Sequence, residues 1–134
     1  MKPVLIIGGT HIDVRGSLRF CNDLDMTRVQ RFYTVSNSAE QPIRGWIGHK
    51  RESKWFFPLS GKTEIIVEPM DEANSSCSAR QQYSLDAASP SVLYIPPNNW
   101  FFFRQDGHSE VMVFSDSKVG EFENDDFRRK YEET

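Results

Sequence analysis

Short apolar segments separated by turn residues run along most of this chain. Ten such segments are rich in β-branched and aromatic residues, and clusters of Gly, Pro, Asn, Asp and Ser bound them. They recur every 8–12 residues or so, roughly the spacing typical of an all-β barrel or sandwich. The pattern predicts strands at 3–7, 17–21, 28–36, 43–49, 53–59, 62–68, 80–84, 91–95, 100–104 and 110–115.

The end of the sequence has a different pattern. In the stretch ENDDFRRKYEE, Asn124 is placed to cap a helix, two acidic residues follow it, and basic residues come later. Acidic side chains stabilise the first turn of a helix and basic side chains its last turn. This pattern predicts a short C-terminal helix. The polar segment 71–81 is predicted to be a loop.

Composition narrows the class of protein. A chain of 134 residues fits a single domain, 1–134, and its net charge of −3 argues against a nucleic-acid partner. The N-terminal apolar stretch KPVLIIGG is too short for a secretion signal or a membrane span.

Cys21 and Cys77 lack a CxxC spacing, so we expect reduced thiols in a cytoplasmic protein.

The segment 43–49 carries side chains of chemical interest. Strand alternation places Ile47 and His49 on one face and Arg44 and Trp46 on the other. A bulge at one of the glycines of this strand would be needed to bring Arg44 to the face of His49.

The segment 53–59 is apolar on both faces. Alternation puts Lys54 and Phe56 on one face and Trp55 and Phe57 on the other, so we expect both faces to be covered. A lysine in this setting either extends to solvent at the start of the strand or projects into a cavity. The sequence leaves both alternatives open.

Five blocks carry a family resemblance: DVRGSLRF, RVQRFYTV, IRGWIGHK, SVLYIPPNNWFFF and SDSKVGEFENDDFRRKYEE. In this order they resemble the small cupins that act as dTDP-4-keto-6-deoxyhexose 3,4-ketoisomerases. They are more distantly similar to the dTDP-4-keto-6-deoxyglucose 3,5-epimerases. The resemblance implies a cupin jelly-roll barrel, a nucleotide-linked sugar as ligand and no cofactor. It also implies a homodimer with an exchanged N-terminal strand, for which KPVLIIGG is the candidate.

Two family motifs are altered in this chain. The ketoisomerase pattern Arg-Gly-x-His-x-His-Lys has Ile47 in place of its first histidine and retains His49 as its second. The pattern Ile-Pro-Pro-x-x-Trp-His ends here in Phe101. With Glu52 as the nearby carboxylate, these motifs do not provide three or four metal ligands, so we predict no metal site.

The candidate catalytic residues follow from the chemistry that the resemblance implies. Moving a ketone needs a base for the proton next to the carbonyl and a donor for the enolate oxygen. His49 is the candidate base. Lys54 matches a lysine that the epimerases use to stabilise the enolate oxygen, and the hydroxyl of Tyr33 is a second candidate donor. Tyr33 equally fits a core tyrosine whose hydroxyl is satisfied.

Substrate-binding candidates come from both motifs and from the N-terminal block. Arg15 matches an arginine that contacts the nucleotide diphosphate in the resembled families, often across a subunit boundary, and Arg44 is a second candidate. Trp46 and Trp100 are candidates for stacking on a thymine or lining a sugar pocket. The alternatives are a surface charge or ion pair for each arginine and core filling for each tryptophan.

Two functions of different class therefore stand. The first is an isomerase or epimerase that enolises a dTDP-linked 4-keto-6-deoxy sugar. The second is a catalytically inactive cupin that serves as a nucleotide-sugar-binding or assembly module. The family resemblance favours the first, and the two missing histidines favour the second.

Overall fold

The computed structural model describes residues 2–71 and 79–132, and this part of the chain is built from antiparallel β-strands. The strands are β1 (Val4–Ile7), β2 (Gly9–Asp13), β3 (Gly16–Phe20), β4 (Arg31–Val35), β5 (Ile43–His49), β6 (Lys54–Ser60), β7 (Lys62–Pro69), β8 (Gln81–Asp86), β9 (Ser91–Ile95), β10 (Asn99–Gln105), β11 (Glu110–Ser115) and β12 (Phe127–Arg128).

Two five-stranded sheets form the barrel. One has the strand order β1-β9-β6-β11-β4 and the other β12-β5-β10-β7-β8, while β2 and β3 form a separate hairpin. The largest apolar cluster draws on strands of both sheets and includes Phe56, Leu93, Ile65 and Phe101. The predicted all-β jelly-roll barrel is confirmed.

Strand β6 follows the predicted alternation. Phe56 belongs to the interior cluster, whereas Trp55 and Phe57 belong to a cluster on the other face. Trp55 is covered there by Tyr94, with ring centroids 5.0 Å apart, and by the guanidinium of Arg28. Both faces of β6 are therefore covered, as predicted.

Strand β5 departs from strict alternation at one residue. Ile47 lies opposite Phe101 of β10, and Gly45 lies opposite the next residue of β10, so Trp46 has no partner in that strand. The bulge shifts the alternation by one residue. Arg44 therefore faces the same cavity as Ile47. Strict alternation gave the wrong face for Arg44, and the bulge that the sequence analysis named as the alternative is present beside Gly45.

The prediction of a C-terminal helix was also wrong. Within the described part of this segment, residues 127–128 form strand β12, which pairs with β5. Trp46 and Arg129 exchange two backbone hydrogen bonds of 3.1 and 3.2 Å. The backbone groups that would bond along a helix are thus satisfied by the neighbouring strand.

The N-terminal region contains a strand that the sequence pattern does not predict. Strand β2 pairs with β3, from Gly9 opposite Phe20 to Asp13 opposite Gly16. Neither face of β2 is buried, so its sequence has no apolar alternation. Strand β1, which we expected to be exchanged in a dimer, pairs with β9 of its own chain.

Other predictions fall partly outside the described residues. Most of the predicted loop 71–81 lies there, as does Cys77, whereas Cys21 is a half-buried free thiol. No helix in residues 2–71 and 79–132 is long and apolar enough to cross a membrane.

Because β5 approaches β10 closely at Gly45, we predict that a side chain added there destabilises the protein. Gly45 has a φ of 119°, and a Cβ added there would lie 2.7 Å from the carbonyl oxygen of Phe101. Gly16 has a similar φ of 129° but open space around it. Gly16→Ala should lower the free energy of unfolding by about 1–3 kcal/mol through backbone strain alone. Gly45→Ala should cost about 1–3 kcal/mol more, because β10 must move.

Urea denaturation of the two variants measures this difference. Equal losses for Gly45→Ala and Gly16→Ala would show that β10 yields without cost and would contradict the prediction.

Candidate functional site

A cavity of about 210 Å³ opens into the interior of the barrel. Its apolar wall consists of Val35, Ile47, Phe56, Phe101, Phe103 and Val113. Its polar wall consists of Tyr33, Arg44, Lys54 and Arg128. Ile47 and Phe101, which stand where the family motifs have histidines, thus lie on the cavity wall.

Lys54 and Tyr33 form a pair of polar groups at this cavity. The first residue of β6 places Lys54 inward, and its Nζ donates a 2.9 Å hydrogen bond to the Tyr33 hydroxyl. Lys54 is buried, with its Nζ 5.8 Å from the centre of the Phe101 ring. Because the Tyr33 oxygen accepts from Lys54, its own hydrogen is free to donate to a ligand.

A buried carboxylate, Glu52, connects the charged groups of the site. Its Oε2 accepts a 2.6 Å hydrogen bond from Ser115 and lies 3.8 Å from Nζ of Lys54. The guanidinium of Arg31 is 3.5 Å from the same oxygen, and Nδ1 of His49 is 4.0 Å from Oε1. Buried charges require such partners, because unpaired charges are strongly destabilising away from water.

His49 is held as a neutral imidazole with one unused nitrogen. Its Nδ1 lies 2.7 Å from the carbonyl oxygen of Asp125, and since a carbonyl can only accept, Nδ1 carries the hydrogen. Burial and, next, the charge of Lys54 lower the pKa of His49. Its Nε2 is therefore an unprotonated acceptor, buried and without a partner among the described residues. His49 is not among the residues that line the 210 Å³ cavity.

His49, Glu52 and Asp125 lie close enough to be considered as metal ligands, since one ligand atom from each falls within 4.8 Å of the others. Most of the candidate ligand atoms already have hydrogen-bond partners, Nε2 of His49 and Oε1 of Glu52 being the exceptions among the described residues. The Asp125 carboxylate accepts hydrogen bonds from the backbone N–H groups of residues 50–52, and Ser115 donates to Glu52. A cation bound by all three residues would have to displace hydrogen bonds that anchor Asp125, so the donor set is a poor fit for a metal.

The two arginine candidates lie in different places. Arg44 lines the cavity, and its Nε donates a 3.1 Å hydrogen bond to the side chain of Asn37. Arg15 lies at the tip of the β2–β3 hairpin, where its side chain is 83% exposed and paired with Asp13 at 2.6 Å. That guanidinium holds the pKa of Asp13 below its usual value. Arg15 does not line the cavity of its own chain.

The structure does not bring Trp46 and Trp100 to the cavity. Both belong to the cluster on the outer face of the β5–β10–β7 sheet. The guanidinium of Arg129 covers them there, 4.3 Å from the Trp46 ring and 4.8 Å from the Trp100 ring. Glu68 forms an ion pair with Arg129 beside them. As placed, neither tryptophan can stack on a ligand inside the barrel.

Sequence reasoning missed the roles of two carboxylates. Glu52 was considered only as a metal ligand, although its position two residues before Lys54 was a signal that both project to one side. Asp125 was assigned to the first turn of a helix. Its contacts with His49 and with residues 50–52 are long-range, and no local pattern indicates them.

A larger groove of about 1010 Å³ lies elsewhere, lined in part by Lys2, Lys50, Asp71 and Asn98. It contains no predicted site residue, and the titratable side chains that line it are exposed. The interior cavity is the better candidate site, because buried ionisable groups converge beside it.

The comparisons with known proteins agree with this architecture. The family model described as FdtA: WxcM-like, C-terminal matches residues 5–134. The chain belongs to the FdtA, WxcM-like C-terminal family. No curated protein matches this family member.

Solved structures share the fold of this FdtA-family chain. QdtA, a sugar 3,4-ketoisomerase from Thermoanaerobacterium thermosaccharolyticum solved in complex with TDP, is 20% identical with a TM-score of 0.72, covering 96% of this chain and 88% of that chain. A 3,4-ketoisomerase from Helicobacter canadensis is 19% identical with a TM-score of 0.72, covering 96% and 92%. The rmlC epimerase from Mycobacterium tuberculosis is 17% identical with a TM-score of 0.72, covering 87% and 64%. These likenesses show a common cupin barrel.

The lowered pKa of His49 predicts how the stability of this FdtA-family chain depends on pH. The unfolded state takes up a proton near the ordinary value of 6.5, which the folded state resists. This contribution to stability is complete above pH 6.5 and is lost as the pH falls below it. The slope should reach at most about 1.4 kcal/mol per pH unit for one proton.

Urea denaturation at several pH values from 7.5 to 5.5 measures this slope. His49→Asn keeps a donor for the Asp125 carbonyl but does not titrate, so its slope should be smaller than that of the wild type. Parallel slopes for the two proteins would contradict the prediction.

Proposed function

We propose that this chain binds a nucleotide-linked 4-keto-6-deoxy sugar and enolises it, as a ketoisomerase or epimerase. The observation that carries the proposal is the pairing of Lys54 with Tyr33 on the cavity wall, 2.9 Å apart. Beside them is His49, whose Nε2 is unprotonated and unpaired within the described residues. A site with two donors and one base matches the needs of enolisation.

Each group has a role in the proposed reaction. Once a side-chain movement exposes His49 to the cavity, its Nε2 takes the proton from the carbon next to the ketone, and the electron pair moves onto the carbonyl oxygen. Lys54 and Tyr33 donate hydrogen bonds to that enolate oxygen, in a cavity where low polarity strengthens them. To move the ketone, the hydroxyl proton on the first carbon passes to the enolate oxygen, and the proton held by His49 returns to the former carbonyl carbon. To invert the first carbon, a second donor delivers a proton to its opposite face while His49 keeps the one it took.

The size of the cavity limits what enters it. A volume of about 210 Å³ is below the roughly 300–1,000 Å³ of pockets that enclose drug-sized ligands. We therefore propose that the sugar enters and the nucleotide stays at the mouth. Arg44 lies on the cavity wall, where its remaining N–H groups can reach a phosphate. Trp46 and Trp100 are not included in the proposed site, because they lie on the outer face of the sheet.

We propose a homodimer in which the β2–β3 hairpin contacts a second copy. The hairpin exposes Ile12 (74%), Val14 (105%) and Leu18 (58%), which is unusual for a strand pair facing water. Packing it on a second copy would bury these side chains and carry Arg15 to the partner's cavity. The backbone pairing of β1 with β9 could equally be made by an exchanged β1.

We further propose that residues 1–134 act as a single cupin domain in the cytoplasm. The free thiol of Cys21 is consistent with a reducing compartment. Limited proteolysis that released a stable subfragment, or fractionation that recovered the protein outside the cytoplasm, would contradict this.

The alternative function is a cupin that binds a nucleotide sugar without turnover. Its support is the hydrocarbon wall formed by Ile47 and Phe101, together with the position of His49 behind the cavity lining. A ligand would then meet Lys54, Tyr33 and Arg44 but no accessible base.

The enzyme proposal predicts exchange of carbon-bound protons. A dTDP-4-keto-6-deoxyhexose incubated with the protein in deuterated water should lose the NMR signals of H3 or H5 faster than in a blank. Lys54→Met and His49→Asn should each slow this loss by about tenfold or more, because a single acid–base group contributes roughly 10²- to 10⁴-fold. Lys62→Met is the matched control, since Lys62 is an exposed lysine that begins the next strand.

The outcomes separate the two functions. Tight binding of dTDP by calorimetry with exchange no faster than the blank would overturn the enzyme and leave the binding module. Exchange that is equally fast in both variants would remove Lys54 and His49 from the mechanism.

The dimer proposal makes a separate prediction for sedimentation velocity. The wild type should sediment as a dimer and Ile12→Asp as a monomer, because the new carboxylate would be buried in the interface. Val119→Asp introduces the same charge at an exposed position (87%) outside the hairpin, in the segment after β11, and should remain a dimer. A monomeric wild type would refute the proposal.

A further inference from the structure

Asp125 is a buried residue in the connection between β11 and β12, and its carboxylate is directed at the turn that follows β5. Oδ1 accepts hydrogen bonds from the backbone N–H groups of Lys50 (2.7 Å) and Arg51 (3.1 Å). Oδ2 accepts from Arg51 (3.1 Å) and Glu52 (2.9 Å). Three consecutive backbone donors thus converge on one carboxylate, and such charge-assisted bonds are stronger than neutral ones.

The main chain of the same residue holds His49. The Asp125 carbonyl oxygen lies 2.7 Å from Nδ1, so one residue fixes the imidazole through its backbone and the rest of the turn through its side chain. We propose that Asp125 is the positioning residue for His49, and that its anchoring to the 50–52 turn keeps the hydrogen on Nδ1 and leaves Nε2 as an acceptor.

The tautomer of His49 decides what this imidazole can do. With the hydrogen on Nδ1, the Nε2 lone pair can take a proton; with the hydrogen on Nε2, that nitrogen can only donate. A neutral imidazole has no strong intrinsic reason to keep one form, so the hydrogen bond made by the other nitrogen selects it. The Asp125 carbonyl is that selecting group.

Neighbouring contacts keep the Asp125 carbonyl in place. Strand β12 pairs with β5, and Trp46 and Arg129 exchange two backbone hydrogen bonds. Arg129 is in turn fixed by its ion pair with Glu68 and by its position over the Trp46 ring. Contacts on the outer face of the sheet therefore help to hold the Asp125 carbonyl against Nδ1 of His49.

This inference deepens the proposed function and rests on it for the catalytic consequence, but the tautomer can be measured without any activity. In protein labelled with ¹⁵N in its histidines, long-range NMR correlations distinguish a protonated from an unprotonated ring nitrogen. Above the pKa of His49, the wild type should show a protonated Nδ1 and an unprotonated Nε2. A wild-type spectrum with the hydrogen on Nε2 would overturn the inference, and this test needs no variant.

Asp125→Asn tests the role of the carboxylate. An amide has one acceptor oxygen and an NH₂ group that cannot accept from the backbone donors, so at least one of the three anchors is lost. We expect the two His49 nitrogens to shift towards values averaged over both tautomers. Any proton exchange of the substrate should fall by roughly 10–100-fold, the range found when the groups that orient metal-bound histidines are removed.

Asp126→Asn is the matched control. It removes the same charge from the adjacent residue, whose carboxylate is exposed and contacts Arg128. It should keep the wild-type His49 signals. An Asp125→Asn protein that keeps the wild-type tautomer would refute the positioning role. A wild type that has the expected tautomer but does not exchange substrate protons would refute the proposed enzyme and leave the positioning role standing.

Discussion

The pairing of β5 with β10, with Trp46 left unmatched, is the constraint on which both faces of this sheet depend. A shift of one residue in a strand exchanges its inner and outer side chains. Here the shift brings Arg44 to the inside with Ile47, while Trp46 stays on the outside, where Arg129 covers it. The cavity thereby gains a cation on its wall, and Trp46 remains available on the outer face as a surface for the segment after β11.

The interior site is a network of charged and polar side chains centred on the buried carboxylate of Glu52. Glu52 is shared by Ser115, Arg31 and Lys54, and His49 approaches its other oxygen. Removing any one partner would leave the buried Glu52 carboxylate incompletely satisfied. Burying such a network costs free energy, and the network is rigid once it has formed. Both properties are expected of a binding or catalytic site.

Much of the fold could be predicted from the sequence because apolar alternation reports burial directly. Strand β6 is the clearest example, with Phe56 inside and Trp55 outside. The same reasoning failed for β2, which buries neither face, and for Arg44, because a bulge is not encoded in the period of the residues around it. Asp125 matched a helix start locally, but its partners are more than seventy residues away in the sequence.

The candidate site was predictable to a similar extent. Lys54 and Tyr33 were named from the resemblance, and the structure places them in hydrogen-bond contact. Arg44 lies at the same cavity, whereas Arg15 and the two tryptophans do not line it. Of the two carboxylates missed, Glu52 has a local signal in its spacing from Lys54. Asp125 has none, because its contacts depend on how the C-terminal segment folds back.

Ile47 and Phe101 are direct cross-strand neighbours on the cavity wall. The two altered motif positions are therefore one patch of surface. A lone imidazole at either position would face a hydrocarbon partner, and an unsatisfied buried polar group costs about 1–3 kcal/mol. A histidine introduced at only one of the two positions would therefore be less well satisfied than a pair introduced at both. The two positions behave as one energetic unit.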